Sequence, residues 1–418
     1  MVYNLKEKDG LIVVDTKKIL IIDYGFCNFH NAVSLVEEGH KVYMHNVIPV
    51  NAVPYNYLTS LGIEVVTFNR DSEFDKWITE TEIDIIYNSN PYMPFVFEDY
   101  YGQNGIEVLG LSSKACTLEL NKFEQRTFLE RMGQNLPKLL ETPVVPFVYK
   151  PKVCAKGNDH ARIYLTEEDV DKHWKDRYLH VGYIEEYIPD CIEVNVAYCI
   201  SGGKWSILHV QEVIGEDICK MASGLTHWTK RAEFDELSDE NLASTLYNAQ
   251  EILSLMSTQD SVSSYVGQIT GLIDPNGKWF FCENNVRPEQ SNSLPYFMSG
   301  NDWLEAMRSG RPDLIGNAFP KDVHKMVVQP TYPDAIYPFH LHEEFNVPIP
   351  CGLDIIDDEY RVATTHRSRS VDQMIGIIIC GEVIPDGFID GFEDSEFSIS
   401  HVFRPEPDDW SPYLSYLR

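Results

Sequence analysis

Ile19-Leu20-Ile21-Ile22-Asp23 follows the charged Lys17-Lys18 and runs into Tyr24-Gly25-Phe26, after which Asn31 to Glu38 is amphipathic and stops at Gly39. That succession reads as a buried strand, a turn and a helix. Lys41-Val42-Tyr43-Met44, Ile63-Glu64-Val65-Val66 and Ile83-Asp84-Ile85-Ile86-Tyr87 read as three further strands, each followed by Gly, Asn or Pro. Strands separated by helical segments predict an α/β unit with a doubly wound parallel sheet, assigned to residues 1–117.

The 418 residues suffice for two or three domains, and a composition of 44% hydrophobic and 23% charged residues can bury sizeable cores. The formal net charge of −30 would repel a polyanion, so nucleic acid and anionic membrane are not expected partners. No apolar run reaches the length of roughly 18 residues that a membrane span needs. Lys6, Glu7, Lys8 and Asp9 stand where a secretory leader would be apolar, and a cytoplasmic location is predicted. Nine cysteines with no C-x-x-C spacing argue against both a disulfide framework and a zinc ribbon.

After residue 117 the pattern changes. Leu118 to Gly133 has apolar residues at helical spacing and a glycine stop, which predicts one helix. A strand and loop follow over Val144 to Gly157. Val181 to Ile188, Ile192 to Ser201, Lys204 to Ile214, Ser264 to Ile273 and Lys278 to Asn285 then alternate, with a helix between Asp239 and Met256. This predicts an α+β domain over 118–325, mostly antiparallel. Arg361-Val362-Ala363, Ile375 to Cys380 and Glu382-Val383-Ile384 carry strand signals in a small, mostly β C-terminal domain over 326–418, whose tail is acidic.

Three clusters can carry chemistry. In Phe280-Phe281-Cys282-Glu283-Asn284-Asn285-Val286-Arg287-Pro288-Glu289 an apolar strand ends in Glu283, Asn285 and Arg287 at i, i+2 and i+4. Such residues project together, offering two hard oxygen ligands for Mg²⁺ and a guanidinium fork for an anion. Tyr149-Lys150-Pro151-Lys152, closing a strand ahead of Ala155-Lys156-Gly157-Asn158, suits nucleotide phosphates: ammonium for charge, backbone N–H groups for oxygens. Gly182-Tyr183-Ile184-Glu185-Glu186-Tyr187-Ile188-Pro189-Asp190, with Glu193 shortly after, can offer backbone groups to an adenine edge and a carboxylate to ribose hydroxyls. Alone, the first also reads as a strand face that meets water, the second as exposed lysines near a turn, and the third as an edge strand with solvated glutamates. His340 and His342, with Glu343 and Glu344, read as surface residues.

Taken in order and spacing, these segments resemble the ATP-grasp superfamily, in particular the glycinamide ribonucleotide synthetase (phosphoribosylamine-glycine ligase) family. Leu118-Glu119-Leu120-Asn121-Lys122 with Arg126, Phe128, Arg131 and Gly133, then Val148 to Pro151 with Ala155 to Gly157, Tyr183 to Val196, and Phe281 to Glu289 are similar to four successive motifs of that family. Glu82 to Ile86 and Gly105 to Gly110 resemble two earlier ones. The resemblance implies a pre-ATP-grasp N-terminal domain and a central ATP-grasp domain with a lid subdomain at about 136–188.

The resemblance also implies site roles. Lys122 and Lys150 would contact ATP phosphates, with Lys156 and Gly157 on the closing loop. Glu185, Glu186, Tyr187 and Ile188 would hold adenine and Glu193 ribose. Glu283 and Asn285 would coordinate Mg²⁺, for which Mn²⁺ can substitute, Arg287 would help hold the activated carboxylate or its phosphate, and Arg287 and Lys150 would be the catalytic residues. The implied activity is an ADP-forming carboxylate-amine ligation through an acyl phosphate, joining glycine to phosphoribosylamine in purine biosynthesis, by a monomer or homodimer acting on small molecules. The family's glycine-rich N-terminal loop is replaced by Asp23-Tyr24-Gly25-Phe26-Cys27-Asn28-Phe29-His30, which favours as alternative an amino-acid ligase using a different nucleotide-like or small amine. A catalytically inactive nucleotide-binding regulator is the third reading.

Overall fold

The computed structural model describes residues 6–8, 11–13, 16–23, 28–46, 59, 62–68, 71–91, 101–102, 104–153, 162–174, 181–214, 220–223, 238–260, 263–287, 303–313, 324–328, 331–332, 353–355, 360–368 and 373–381. The fold is mixed α/β, with a five-stranded parallel sheet, a ten-stranded antiparallel sheet and a small four-stranded antiparallel sheet.

The parallel sheet has the order Ile63–Val66, Lys41–Asn46, Lys18–Asp23, Ile85–Asn88, Glu107–Gly110. Ile19 to Ile22 are fully buried because the strand is central and both faces are covered. One face packs Leu20, Ile22, Tyr43 and Ile86 on Phe74, Ile78 and Tyr101, and burying each such aliphatic side chain is worth about 1.5–3 kcal/mol. The helix Phe29–Glu37 ends at Gly39, whose φ of 89° is left-handed and suits glycine. Chain order reverses between Lys18–Asp23 and Ile85–Asn88, so the switch point lies at the carboxyl ends of those two strands.

In the ten-stranded sheet, Trp279–Asn285 pairs with Ser264–Ile273, then Ile192–Ser201, Lys204–Ile214 and Lys220–Ser223 follow. Four of these five strands occupy the expected segments. The helix Asp239–Gln259, capped by Ser238, covers one face and buries Ala249, Ile252, Leu253 and Met256 against Val194, Val196, Ile269 and Phe281. His324–Val328 spans the expected boundary at 326 and pairs with Lys220–Ser223, and Gln373–Gly381, Tyr360–Ser368 and Leu353–Ile355 continue the same sheet. Glu382 to Ile384, the acidic tail, and His340 to Glu344 lie outside the described residues.

The small sheet has the order Arg162–Tyr164, Phe147–Pro151, Gly182–Glu186, Leu139–Leu140. Phe147 stacks on Tyr164 at 4.7 Å and Trp174 meets both rings edge-on. Gly182 is required there, because a Cβ would lie 2.2 Å from the Tyr149 ring.

One expectation needs correction. The stretch from Leu118 to Gly133 is not one helix but the end of Ser113–Leu120 and the whole of Lys122–Arg131, broken at Asn121. Asn121 has φ −107° and ψ 82°, and its side chain accepts from Glu124 N–H at 3.0 Å, so it closes one helix and caps the next. Apolar periodicity passes through such a break without interruption, which is why spacing alone missed it.

The parallel and antiparallel sheets are tied together by Tyr87 on Trp303 at 4.9 Å, by Arg308 Nε to Glu107 at 2.7 Å, and by Ser112 bonded to Ser263 and Asp260. Among the described residues no helix is long and apolar enough to cross a membrane.

Candidate active site

The strand Trp279–Asn285 separates its side chains by alternation. Asn284 turns to the core, where its Oδ1 accepts from Tyr198 hydroxyl at 2.8 Å, and Val286 is fully buried there. Glu283, Asn285 and Arg287 occupy the opposite face at 7%, 2% and 8% exposure, and Asn285 Nδ2 donates to Glu283 Oε1 at 3.3 Å. A bulge lies just before them: Thr270 opposes Glu283 while Gly271 opposes Phe281, which leaves Cys282 as the extra residue.

The helix break explains how that segment is held. Glu119, Lys122 and Gln125 lie on either side of Asn121, and all three reach residues 283–287. Lys122 Nζ is ion-paired with Glu283 Oε2. Glu119 accepts from Val286 N–H at 2.8 Å and from Arg287 Nε at 3.0 Å. The Gln125 amide donates to Asn284 C=O at 3.0 Å and accepts from Asn284 N–H at 3.1 Å, so it pairs with the strand edge as a second backbone would. The ladder of buried backbone groups is thereby completed by a side chain.

Lys150 comes from the small sheet. Its Nζ lies 2.9 Å from Glu185 Oε2 and donates to the bulge carbonyl of Cys282 at 3.0 Å. Glu185 Oε1 is ion-paired with Arg126, whose Nη2 donates to Pro137 C=O at 2.6 Å. Arg126, Glu185 and Lys150, all buried, thus form one chain with the Cys282 carbonyl, linking the second helix, the small sheet and the bulge.

Four cations, Lys122, Arg126, Lys150 and Arg287, face three carboxylates, Glu119, Glu185 and Glu283, in a chain whose overall charge is −30. Burial pushes the Glu283 carboxyl up, but Lys122 and Lys150 outweigh it and hold the group below the ordinary carboxylate value, hence ionised. Burial likewise opposes the Lys150 ammonium, and the surrounding Cys282, Glu185 and Tyr183 outweigh that, keeping it charged. At Glu119 burial wins over Arg287 and the Val286 N–H, and its pKa is raised. The Cys282 thiol is pushed up to about 12 by burial.

Asn195, Gln268 and Thr270 extend this polar floor across the neighbouring strands: Thr270 Oγ1 donates to Asn195 Oδ1 at 2.7 Å, and Gln268 stands opposite Asn285. Sequence reasoning passed over these three, although each is a polar residue alternating with apolar ones in Val194-Asn195-Val196 and Gly267-Gln268-Ile269-Thr270. Glu119 and Arg126 were noticed only as motif positions, and their partners are remote in sequence.

The other expected residues are placed less centrally. Glu186 accepts from Lys138 N–H at 2.8 Å, Ile188 is buried, and Tyr187 and Glu193 are half-buried. Lys156 and Gly157, on the expected closing loop, lie outside the described residues.

Glu283 and Asn285 fit a Mg²⁺ site by donor type: an ionised carboxylate and an amide on one strand face, with no apolar or thiol ligand required. Among the described residues no three His, Cys, Asp or Glu side chains converge on a cage of their own. A cation that takes one or two protein ligands and completes its shell from phosphate oxygens and water suits that arrangement.

No protein-family model matches the chain and no curated protein matches it in sequence. Solved structures do match. N5-carboxyaminoimidazole ribonucleotide synthetase from Thermotoga maritima superimposes with a TM-score of 0.60 at 14% identity, over 91% of this chain and 98% of that one. The biotin carboxylase domain of Hydrogenobacter thermophilus 2-oxoglutarate carboxylase, solved with MgADP and bicarbonate, gives 0.63 at 14% identity over 91% and 90%. L-amino acid ligase from Bacillus licheniformis gives 0.60 at 14% over 90% and 96%. With its parallel sheet, small sheet and antiparallel sheet, this chain shares the fold of these solved structures.

Proposed function

We propose that this protein is an ATP-dependent, ADP-forming carboxylate-amine ligase. The observation that carries the reading is the convergence of Lys122, Lys150, Glu283, Asn285 and Arg287, from three separate elements, on one buried polar face. Structures of the same fold include one solved with MgADP and two named as a synthetase and an amino acid ligase.

A carboxylate is a poor acyl donor because its leaving group would be oxide. The γ-phosphoryl of ATP therefore passes to the donor carboxylate to give an acyl phosphate, and the amine attacks the acyl carbon and expels phosphate. Glu283 and Asn285 would hold Mg²⁺, which when bound neutralises phosphate charge. Lys122 and Lys150 supply ammonium groups to the phosphate oxygens, and both are kept charged by carboxylate neighbours. Arg287, oriented through Nε by Glu119, holds the donor carboxylate. Glu185 to Ile188 offer the adenine edge and Glu193 the ribose contact, while Lys156 and Gly157 belong to the loop that keeps water from the acyl phosphate.

Two acceptors fit this chemistry: phosphoribosylamine, with glycine as acyl donor, and another small amine. A regulator that binds nucleotide without turnover is disfavoured because a chain freed from catalysis has little physical reason to keep Glu283, Asn285 and Lys150 together on one polar face. The test is ADP release by the purified protein with ATP and Mg²⁺, scanned over carboxylates and amines. Release that needs all four components establishes the ligase. ATP binding without turnover for any pair would favour the regulator, and no ATP binding would sink the site assignment.

A further inference from the structure

The carboxyl ends of Lys18–Asp23 and Ile85–Asn88, at the switch point of the parallel sheet, carry Asp23, Asn28, Asn31, Asn88, Ser89 and Asn90, all buried. In open α/β sheets this is where ligands sit, and the adjoining helix N-terminus is where a phosphate is bound. Here that place is taken by the chain's own carboxylate. Asp23 Oδ1 accepts from Asn28 N–H at 3.2 Å and from Asn28 Nδ2 at 2.8 Å, at the start of the helix Phe29–Glu37. A phosphate brought to the same N-terminus would meet a like charge in a low-dielectric setting.

The hydrogen-bond inventory points the same way. The second Asn28 Nδ2 proton goes to Ser89 Oγ, the Ser89 hydroxyl proton to Ile22 C=O at 3.1 Å, an Asn31 Nδ2 proton to Asn28 Oδ1 at 3.0 Å, and an Asn90 Nδ2 proton to Asp23 C=O at 3.1 Å. Each of these donors is directed within the cluster. The Asn31 Oδ1, on the same amide that reaches Asn28, is buried at 1% residue exposure and accepts no hydrogen bond. A buried acceptor left open is costly, and what satisfies it is an N–H or O–H group, whereas an ionised phosphate offers only acceptors.

Resting on the ligase reading, we propose that the switch point holds the amine substrate by an N–H-bearing end that carries no phosphate, with Asn31 and Asp23 as its acceptors. The acceptor class is then a small phosphate-free amine, such as an amino acid, rather than phosphoribosylamine.

The test uses the full chain with its nucleotide site saturated by ADP and Mg²⁺, so that Lys122 and Lys150 do not take up the probe. Calorimetric titration compares ribose 5-phosphate with ribose. The wild type should show no preference for the phosphorylated sugar, and Asp23→Ala should gain at least about tenfold affinity for it, a difference of about 1.4 kcal/mol. Asp23→Asn, which keeps an acceptor for Asn28, should gain in the same direction and guards against a misfolded Asp23→Ala. Wild-type preference for ribose 5-phosphate, or no gain in either folded variant, overturns the proposal. In parallel, ADP release is compared for serine against O-phosphoserine, ethanolamine against phosphoethanolamine, and phosphoribosylamine. Preference for a phosphorylated amine overturns the proposal while leaving the ligase reading intact. Failure of ADP to bind at all removes the ligase reading, and the sugar titration then judges the switch point by itself.

Discussion

Lys122 and Glu283, 161 residues apart in sequence, form a buried ion pair that joins the first residue of a helix to a strand on the polar face of the central sheet. The two groups assigned to phosphate and to metal therefore neutralise each other. Glu283→Gln keeps the shape and removes the charge, so Mg²⁺-dependent ADP formation should fall by at least about a hundredfold, the scale on which lost transition-state electrostatics is felt. Nucleotide binding measured without Mg²⁺ should persist. Unchanged turnover would remove Glu283 from the metal site.

Lys150 donates to Glu185 and to the bulge carbonyl, and is assigned to ATP phosphate. Lys150→Ala should raise KM for ATP more than it lowers kcat, and should also destabilise the chain by about 3–5 kcal/mol, because among the described residues the buried Glu185 then keeps only Arg126 as its ionic partner. Urea titration gives the second effect and steady-state kinetics the first. A kcat loss alone would shift Lys150 from binding ATP to the chemical step.

Acid should weaken the fold through Glu283. Burial opposes its ionisation, Lys122 and Lys150 overcome that, and its folded pKa lies below the ordinary 4.5. A depressed carboxyl pKa contributes stability that is present above the unfolded value and is lost as pH falls below it toward the folded one. The slope of unfolding free energy on pH below about 4.5 should therefore be shallower in Lys122→Met than in the wild type. Equal slopes would mean that Lys122 does not set this titration.

Asn121 caps the second helix through Glu124 N–H. Asn121→Ala should cost about 1 kcal/mol by urea unfolding, while Asn121→Asp, which caps equally well, should cost only tenths. If the two variants are alike, the cap contributes nothing.

Cys282 sits beside Lys150, yet its thiol is held up at about 12. At neutral pH about one thiol in 10⁵ is ionised, and the thiolate is the reactive form. Iodoacetamide should leave Cys282 unmodified in the native protein and alkylate it in urea, as peptide mass spectrometry would show. Fast native alkylation would mean that the thiol is not held up.

The strands that were legible each carry their own evidence, whereas short ones such as Lys220–Ser223 and Arg162–Tyr164 were passed over. Ile63–Val66, Ile192–Ser201, Lys204–Ile214 and Ser264–Ile273 run over the residues where apolar runs or alternation begin and end. The common face of Glu283, Asn285 and Arg287 follows from the two-residue period of a strand, which is local and needs no tertiary knowledge. The helix break at Asn121 was not legible, since apolar spacing continues through it and only the backbone angles reveal it.

Local pattern also selected the fold class, because the turn-bounded runs around Ile19 to Ile22 leave a parallel sheet as the arrangement that buries them on both faces. Partnership is another matter. Nothing near Glu119 announces Arg287, nothing near Arg126 announces Glu185, and nothing near Asp23 announces Ser89, since each pairing depends on which strands become neighbours. Asp23 shows the difference most plainly: in the chain it is an acid closing a strand, and in the fold its carboxylate fills the anion position of a helix N-terminus. Side-chain period is set by backbone geometry over a few residues, whereas the charge a site presents is set by groups that only chain folding brings within a hydrogen bond.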